Sequence, residues 1–567
     1  MQRYSEAEKV DAEARGRADA EAQEIHDARS APVSAYATVS EAPRAEPAPA
    51  GVAPVKRAVA LKPIQTVAAF ALILAVMGWI EWGGPAILDN DGYYHIRWSK
   101  MLRESFPHLP PFKSLPLTTL NEQDYVDHHY LFHLFLVPFT FGDLRVGAKL
   151  AAVVFSSLGI LSLFALLVTY DVRYRWLWLA PLVASSEPFL YRMSMTRAPA
   201  ISLAMLGLGT YLILKRRHIP LALLSFAFVW FYSLFPLILA FALAYAAAIY
   251  IAERRIDLWA ALASVSGIIA GLLINPYFPK NLSLLYQHVL MKINMTSGYT
   301  VDVGVEWYPY ETWIMLVSSS VACVIYFAGL LAFDFRRRAR DAKPLFFLIV
   351  SVLLFLMALK SRRFIEYWPP FAVLFAAFTF GPKFEQIDWS WLARTRDRVI
   401  AAIATAVVTI AALGTMIGTV LQAHADVKSE ADPYAYQGAS DWIAENTPPG
   451  SMVFNTDWDD FPMLFYYNPD SIYIVGLDPT YLYDRDKDLW NLYARITLGE
   501  EDNPAPLIRE RFGAEYVFTD NGHIDFLDIA KSSGDFETVY KDSYTTVLRL
   551  RQPSEPRPKQ QQEDAGR

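Results

Sequence analysis

Apolar side chains along this chain are clustered into long runs rather than dispersed. Ile64–Ile80, Ala148–Thr169 and Val399–Leu421 approach or reach the roughly 20 residues a helix needs to cross a bilayer. The same pattern predicts about eleven crossings, at 64–80, 147–169, 176–191, 198–214, 219–235, 237–252, 258–275, 312–333, 344–359, 364–380 and 399–421. The segment 128–141 is apolar but too short to span. It is expected to lie in the outer interface, where its histidines and aromatic rings suit the headgroup region.

Beyond residue 432 the runs shorten into the pattern of a small soluble α/β domain. A helix at 434–446 precedes strand-like Ser451–Asn455 and Ser471–Leu477. A helix at 505–512, a strand at Ala514–Thr519 and two strands flanking the Asp542–Ser543 turn follow. The ends, 1–55 and 552–567, are polar and have the composition of disordered tails. The predicted fold class is a polytopic α-helical membrane protein with a C-terminal extracytoplasmic α/β domain. Its parts are a cytoplasmic tail 1–55, a transmembrane domain 56–421 with external loops 81–146 and 276–311, an external domain 422–551 and a tail 552–567.

Composition agrees with a membrane protein: 54% of the 567 residues are hydrophobic and 19% charged. Lys56–Arg57, Arg173 and Arg175, Lys215–Arg217, Arg254–Arg255, Arg336–Arg340, and Arg394, Arg396 and Arg398 all fall on one side of this arrangement, which marks the cytoplasm. An odd number of crossings then puts the N-terminus inside and the C-terminal domain outside, which is the periplasm if the cell is Gram-negative. A net charge of −7, with no concentrated basic stripe, excludes nucleic acid as a partner. The single cysteine, Cys323, has no partner for an internal disulfide. No internal repeat of the kind found in many transporters is present.

The stretch richest in chemistry is Asp89-Asn90-Asp91-Gly92-Tyr93-Tyr94-His95-Ile96-Arg97, just past the first crossing. Two carboxylates flank one residue, and Gly92 lets the chain turn into an amphipathic helix. Sugar transfer from a phosphate-linked donor uses a carboxylate to orient or deprotonate the acceptor, or to hold a metal near the phosphate. Asp89 and Asp91 fit equally well as N-caps of a helix at 93–104.

The string NDGYY at 90–94, followed by that helix, resembles the first-loop motif of oligosaccharyltransferase catalytic subunits, particularly the bacterial single-subunit form, within the GT-C superfamily. The resemblance implies a catalytic role for Asp91, with Asp89 assisting. Val303-Gly304-Val305-Glu306-Trp307-Tyr308-Pro309 is similar to a later loop motif, which implies that Glu306 contacts metal and acceptor. Arg362-Arg363-Phe364 resembles the site of the arginine that binds the donor pyrophosphate. Guanidiniums at the outer leaflet oppose the positive-inside trend and suit phosphate oxygens, and Arg192 and Arg197 in another external loop strengthen that reading. Snorkelling accounts for such arginines as well. Trp442–Pro448 keeps a phrase that precedes the family's sequon-reading motif, and the following Asp457-Trp458-Asp459-Asp460-Phe461 keeps only Trp458 and Asp459 as candidate acceptor contacts.

The resemblance also implies a Mg2+ or Mn2+ site with Asp91 and Glu306 among its ligands. The family's paired aspartates are missing from 192–202, which reads Arg-Met-Ser-Met-Thr-Arg-Ala-Pro-Ala-Ile-Ser, so a metal-free site is the other expectation. His128 and His129 beside Asp127 suit headgroup or donor-phosphate contacts better than a metal, since no further ligand is expected at helical spacing. Tyr466–Tyr467 and Tyr481–Tyr483 read as domain core.

Together these features predict a glycosyltransferase that moves a sugar or glycan from a polyprenyl phosphate or pyrophosphate to an extracytoplasmic acceptor. The acceptor, a glycan, lipid or protein, is expected to offer a hydroxyl. The alternatives are an asparagine-linked oligosaccharyltransferase and, from another class, a transporter or flippase for a lipid-linked glycan. The loop location of the ionisable residues counts against transport.

Overall fold

The computed structural model describes residues 55–287, 301, 304–335, 341–386 and 395–555. Most of both predicted tails, part of the loop 276–311, and the basic positions 336–340 and 394 lie outside these residues. Helix α1 (Val55–Glu81) leads to α2 (Asp91–Ser105), α3 (Tyr130–Leu136) with a 3-10 turn at Val137–Thr140, and α4 (Leu144–Thr169). Then come α5 (Arg175–Ala184), α6 (Glu187–Met193), α7 (Ala198–Leu214), α8 (His218–Phe231), α9 (Pro236–Glu253), α10 (Trp259–Leu273) and the short α11 (Lys280–Leu285). The set closes with α12 (Thr312–Ser318), α13 (Ser320–Ala332), α14 (Ala342–Lys360), α15 (Trp368–Gln386) and α16 (Thr395–Lys428).

Every apolar run of the sequence contains helix, but the runs do not all make continuous spans. Five helices among the described residues are long and apolar enough to cross a membrane, or up to 7 if each bent pair counts as one span. The predicted crossing at 176–191 is cut at Ser185–Ser186. Ser186 is extended, its hydroxyl accepts from the Phe189 N–H, and Pro188 sits in the first turn of α6. The predicted crossing at 312–333 breaks at Ser319, where α12 and α13 meet at 88°. The two breaks support each other. The Ser186 and Ser319 hydroxyls hydrogen-bond at 2.8 Å, and the Ala322 N–H donates to the Ser185 carbonyl at 3.0 Å. Backbone groups freed inside an apolar bundle are thereby satisfied within the protein. Helices α6 and α7 meet at 104° around Ser194–Arg197, and that elbow carries two arginines into one side of the bundle.

Small residues let the central helices approach: a Cβ on Gly159 of α4 would lie 2.7 Å from the Ala200 carbonyl oxygen of α7. Around this contact Phe164, Leu203, Phe241 and Phe371 join one continuous buried core. Helix α16, by contrast, buries none of its apolar window.

The C-terminal part begins with α17 (Gln437–Asn446), β1 (Met452–Asn455), α18 (Phe461–Tyr467) and β2 (Ile472–Tyr473). Next are α19 (Thr480–Arg485), α20 (Lys487–Thr497) and α21 (Pro504–Leu507), which runs into a π-helical turn at Ile508–Phe512. Finally come β3 (Tyr516–Asp520), α22 (Ile524–Ser533), β4 (Phe536–Lys541) and β5 (Thr545–Leu550). The sheet order is β2-β1-β3-β5-β4. β1 is parallel to both neighbours, with Val453 opposite Tyr473 and Tyr516, while β5 runs antiparallel to β3 and β4. Parallel pairing needs crossovers; α18 supplies the first and α19 to α21 the second. The strand expected over 471–477 is confined to Ile472–Tyr473, and the chain turns at Leu477 with φ 65.

Because β2 and β3 lie on opposite sides of β1, the carboxyl end of β1 is a topological switch point, where α/β sheets place their binding crevices. Trp458 and Asp459 follow that end. The sheet does not stand apart from the loop after α1. Tyr94, Trp98 and Phe112 share a core with Phe461, Phe465 and Tyr473. The Tyr473 N–H also donates to the Ser114 carbonyl at 2.8 Å, and the Thr119 N–H to the Tyr481 carbonyl at 3.0 Å.

Candidate active site

A cavity of about 640 Å³ lies between the helical bundle and the carboxyl ends of β1 and β2. Asp89, Asp91, His128, Arg197, Glu306, Arg362, Arg363, Trp458 and Asp459 all line it. Residues scattered over more than 350 positions of sequence thus share one wall system.

Asp91 is the first residue of α2, and Asn90 takes the N-cap position without a side-chain cap bond. The Asn90 amide instead donates to Asp459 Oδ2 at 3.1 Å and to the Asp459 carbonyl at 3.2 Å. Neither aspartate serves as a helix cap. Asp89 turns the chain with φ 71, a left-handed conformation that aspartate tolerates better than most residues. Gly92 is needed for proximity rather than for a turn: it lies within the helix, and a Cβ there would sit 2.6 Å from Ile87 Cγ2 and 3.3 Å from Thr196 Cβ. That close approach brings the start of α2 against the α6–α7 elbow.

Arg197, at the N-cap of α7, reaches from the elbow into the carboxylates. Its Nη1 lies 3.2 Å from Asp89 Oδ2 and 3.3 Å from Glu306 Oε2, and its Nη2 lies 2.9 Å from Asp91 Oδ2. Glu306 gathers two further arginines, with Arg192 Nη2 at 3.0 Å and Arg363 Nε at 3.5 Å. Arg192 is also paired with the buried Glu366 at 2.6 Å. The turn Arg362–Glu366 is tied to the Glu306 loop. The Ser361 hydroxyl donates to the Glu306 carbonyl at 2.8 Å, the Arg362 N–H to the Tyr308 carbonyl at 3.0 Å, and Arg362 Nε to the Pro309 carbonyl at 3.3 Å. Stacking on Trp307, 4.6 Å from its ring centre, and a bond to the Tyr232 hydroxyl at 3.4 Å orient Arg363.

These pairings set the charge states. Burial pushes Asp89 up to about 7 against the pull of Arg197, and raises Asp91 in the same way. Both carboxylates keep 25% of their side-chain surface open to the cavity, so water there moderates the effect. Burial, with Asp91 and Asp457 nearby, pushes Asp459 up to about 6. For Glu306 burial is outweighed: Arg197, Arg363 and Arg192 hold it well below the usual carboxylate range.

Asp91 and Glu306 share a guanidinium where a metal was expected. Arg197 lies within ion-pair distance of all three nearby carboxylates, and no group of three or more His, Cys, Asp or Glu suited to a metal occurs among the described residues. A fixed cation thus stands at the centre of this carboxylate set. Of the 457–460 acids only Asp459 lines the cavity. The Asp457 carboxylate accepts from the Asp459 N–H at 3.0 Å, and Asp460 is buried, accepting from the Tyr436 hydroxyl at 2.6 Å. One expectation from the sequence needs correction: a histidine does stand at helical spacing beside His129, and His133 Nδ1 lies 2.7 Å from Asp127 Oδ2. Tyr481, read as core, is buried but also reaches the cavity wall.

His95, His133, Asp127 and Glu366 were not singled out as site residues from the sequence. The Asp91/His95 and His129/His133 spacings of four were visible signals, since such pairs share a helix face. Glu366 carried no signal within its apolar run. A second, apolar slot of about 40 Å³ shares Val126, His128 and Ser233 with the main cavity and is otherwise walled largely by Val229, Phe235, Leu272, Leu284 and Leu285.

No family model and no curated protein sequence matches the chain. Solved structures do share its fold. One is the archaeal oligosaccharyltransferase AglB from Archaeoglobus fulgidus in complex with an inhibitory peptide and a dolichol-phosphate, with a TM-score of 0.58 and 13% identity over 88% of this chain and 75% of that one. A second structure of the A. fulgidus oligosaccharyltransferase, tethered to an acceptor peptide containing the NVT sequon, gives 0.59 and 13% over 87% and 74%. ArnT from Cupriavidus metallidurans bound to undecaprenyl phosphate gives 0.51 and 13% over 87% and 98%. The chain shares the fold of these oligosaccharyltransferase and ArnT structures.

Proposed function

We propose that this chain is a multi-pass membrane glycosyltransferase. It moves a sugar or glycan from a polyprenyl phosphate or pyrophosphate to an acceptor hydroxyl on the extracytoplasmic side. The observation that carries the proposal is one cavity holding both a carboxylate pair, Asp89 and Asp91, and a set of arginines, with an apolar slot opening beside His128. A polar chamber with an apolar extension suits an amphiphilic donor. The apolar surface of α16 suits contact with lipid.

In this reading Arg362 and Arg363 hold the donor phosphate, with His128 beside it, and their charge stabilises the leaving oxygen as the sugar–oxygen bond breaks. Asp91 accepts a hydrogen bond from the acceptor and orients it toward the anomeric carbon. Asp89 holds Arg197 in register with Asp91. Arg197 supplies fixed positive charge among these carboxylates, and we propose that transfer proceeds without a divalent metal. Trp458 and Asp459 form the acceptor side of the cavity, with Glu306 across from them.

Asparagine-linked transfer remains the second reading, favoured by the fold shared with the sequon-bound A. fulgidus structure. Two observations favour a hydroxyl. The first tryptophan of the sequon motif is Asp457, which is engaged in its own turn, and Arg197 stands in the segment where the family has carboxylates to activate an amide. The purified protein should be incubated with labelled lipid-linked donor, an Asn-x-Thr peptide and its Gln-x-Thr control. Glycosylation of the first peptide alone would overturn the hydroxyl assignment.

A further inference from the structure

Within the cavity wall lies a chain of buried polar groups that the transferase reading leaves unused. Asp127 Oδ2 accepts from Trp98 Nε1 at 3.0 Å and lies 2.7 Å from His133 Nδ1, while Oδ1 accepts from the His129 N–H at 3.0 Å. His133 Nε2 lies 2.7 Å from His95 Nδ1. All three side chains are nearly inaccessible, with Asp127 at 4%, His133 at 1% and His95 at 4% exposure, and all three border the cavity. His95 sits one helical turn after Asp91 on the same face of α2.

One set of neutral tautomers satisfies the hydrogen-bond order. Asp127 is an acceptor: burial works against its charge, but His133 and the Trp98 N–H hold it below the ordinary carboxylate range. An ionised carboxylate cannot donate, so His133 carries its proton on Nδ1 and offers a lone pair at Nε2. His95 must then donate from Nδ1, which leaves the lone pair of its Nε2 as the end of the chain. The groups facing His95 are Asp91 and Tyr94 on its own helix, His128, His129 and His133 from the segment 128–133, and Arg197 from the elbow. Burial, with His133, Arg197 and His128, holds its imidazole well below the usual range, so the neutral form is the resident one.

We propose that His95 is the general base that removes the acceptor hydroxyl's proton, with His133 and Asp127 as positioning residues that carry the resulting charge away from His95. The inference rests on the transferase reading. The acceptor oxygen forms a bond to the anomeric carbon, the bond from that carbon to the phosphate oxygen breaks, and its electron pair leaves with the polyprenyl phosphate. The hydroxyl proton goes to His95 Nε2, and the His95 Nδ1 proton passes to His133 Nε2. The new imidazolium is then paired with Asp127, away from Arg197. Relaxation returns the proton to solvent through the cavity.

Two measurements on the full-length protein in nanodiscs test this. The first is the rate at which diethyl pyrocarbonate modifies His95, followed by mass spectrometry, because the reagent reads an available imidazole lone pair. His95 should react, and Asp127→Asn should slow it about tenfold or more by breaking the tautomer order. An unreactive His95, or one indifferent to Asp127→Asn, overturns the relay. The second is release or transfer of labelled sugar from a set of undecaprenyl-phosphate and undecaprenyl-pyrophosphate sugars. His95→Gln should lower the rate about 100- to 10,000-fold at unchanged donor affinity. Imidazole should restore at least part of the rate to His95→Gly, a rescue that a purely structural role would not show. A His95→Gln rate within about threefold of wild type overturns the base, and so does the absence of imidazole rescue. Wild-type protein that turns over no donor at all sinks the transferase reading instead, which separates the two failures.

Discussion

Arg197 Nη2 lies 2.9 Å from Asp91 Oδ2, joining the start of α7 to the start of α2 across the floor of the cavity. This ion pair is mostly enclosed, and removing one partner leaves the other charge exposed to a poorly solvating wall. The same guanidinium serves Asp89 and Glu306, so the three carboxylates and Arg197 act as one unit. Effects of substitution within it should be non-additive.

Asp91→Asn should lower transfer about 100-fold or more while the protein remains expressed and folded. The amide keeps the shape but loses the charge that orients the acceptor. Transfer assays alongside size-exclusion profiles in detergent check this. A fully active Asp91→Asn protein would confine Asp91 to a structural pairing with Arg197.

Arg363→Ala should weaken donor binding about ten- to a hundredfold, the loss of one charge-assisted contact worth roughly 1.5–3 kcal/mol. Arg362→Ala should weaken it by a similar factor, since its guanidinium lines the same cavity. Lysine at 363 should rescue only in part, having lost the planar fork. Titration with a fluorescent undecaprenyl-phosphate analogue measures all three. Unchanged affinity in both alanine variants would reassign these residues to interfacial snorkelling.

Chelation should leave transfer unaltered, since a guanidinium holds the centre of the carboxylate set. Arg197→Ala should empty that centre and create Mn2+ affinity absent from the wild type, visible by electron paramagnetic resonance. Wild-type protein that loses activity in EDTA and regains it with Mn2+ would show that the carboxylates rearrange around a metal.

The raised Asp89 has a defined sign in stability. Its folded value of about 7 lies above the unfolded 3.8, so the folded protein binds more protons between these limits. The contribution is complete below the unfolded value and is lost as pH rises through the folded one. Asp89→Asn should therefore flatten the fall in thermal midpoint between about pH 4 and 7. Equal slopes for both proteins would show that Asp89 titrates elsewhere.

Reporter fusions at Asp341 and Asp432 should give cytoplasmic and extracytoplasmic signals respectively. The arginine asymmetry predicts this, and matching signals would refute the proposed topology.

Much of the helical architecture was legible in the apolar runs, because a membrane-sized helix requires one long stretch of side chains and nothing else. The C-terminal strands were legible where alternation was clear, at 452–455 and 516–520. The amphipathic α20 was missed although Leu489, Leu492, Tyr493 and Ile496 mark one buried face. The breaks at Ser185–Ser186 and Ser319 were not legible. A run of apolar residues says nothing about a serine pair that meets a partner 133 positions away.

Nine of the residues lining the cavity were named from the sequence, most of them through the resemblance of their motifs to oligosaccharyltransferase loops. Their mutual arrangement was not available there. Sequence alone showed that 192–202 lacks aspartates, but only the 104° elbow revealed that Arg197 enters the space between Asp89, Asp91 and Glu306. It showed His128 and His129 side by side, while the fold decided that Asp127, His133 and His95 form the continuous chain. The physical reason is the same in each case. Residue type and spacing determine what a side chain can do and which face of its helix it occupies, but ion pairs and proton relays depend on distances of about 3 Å between elements remote in sequence. Those distances are set by packing.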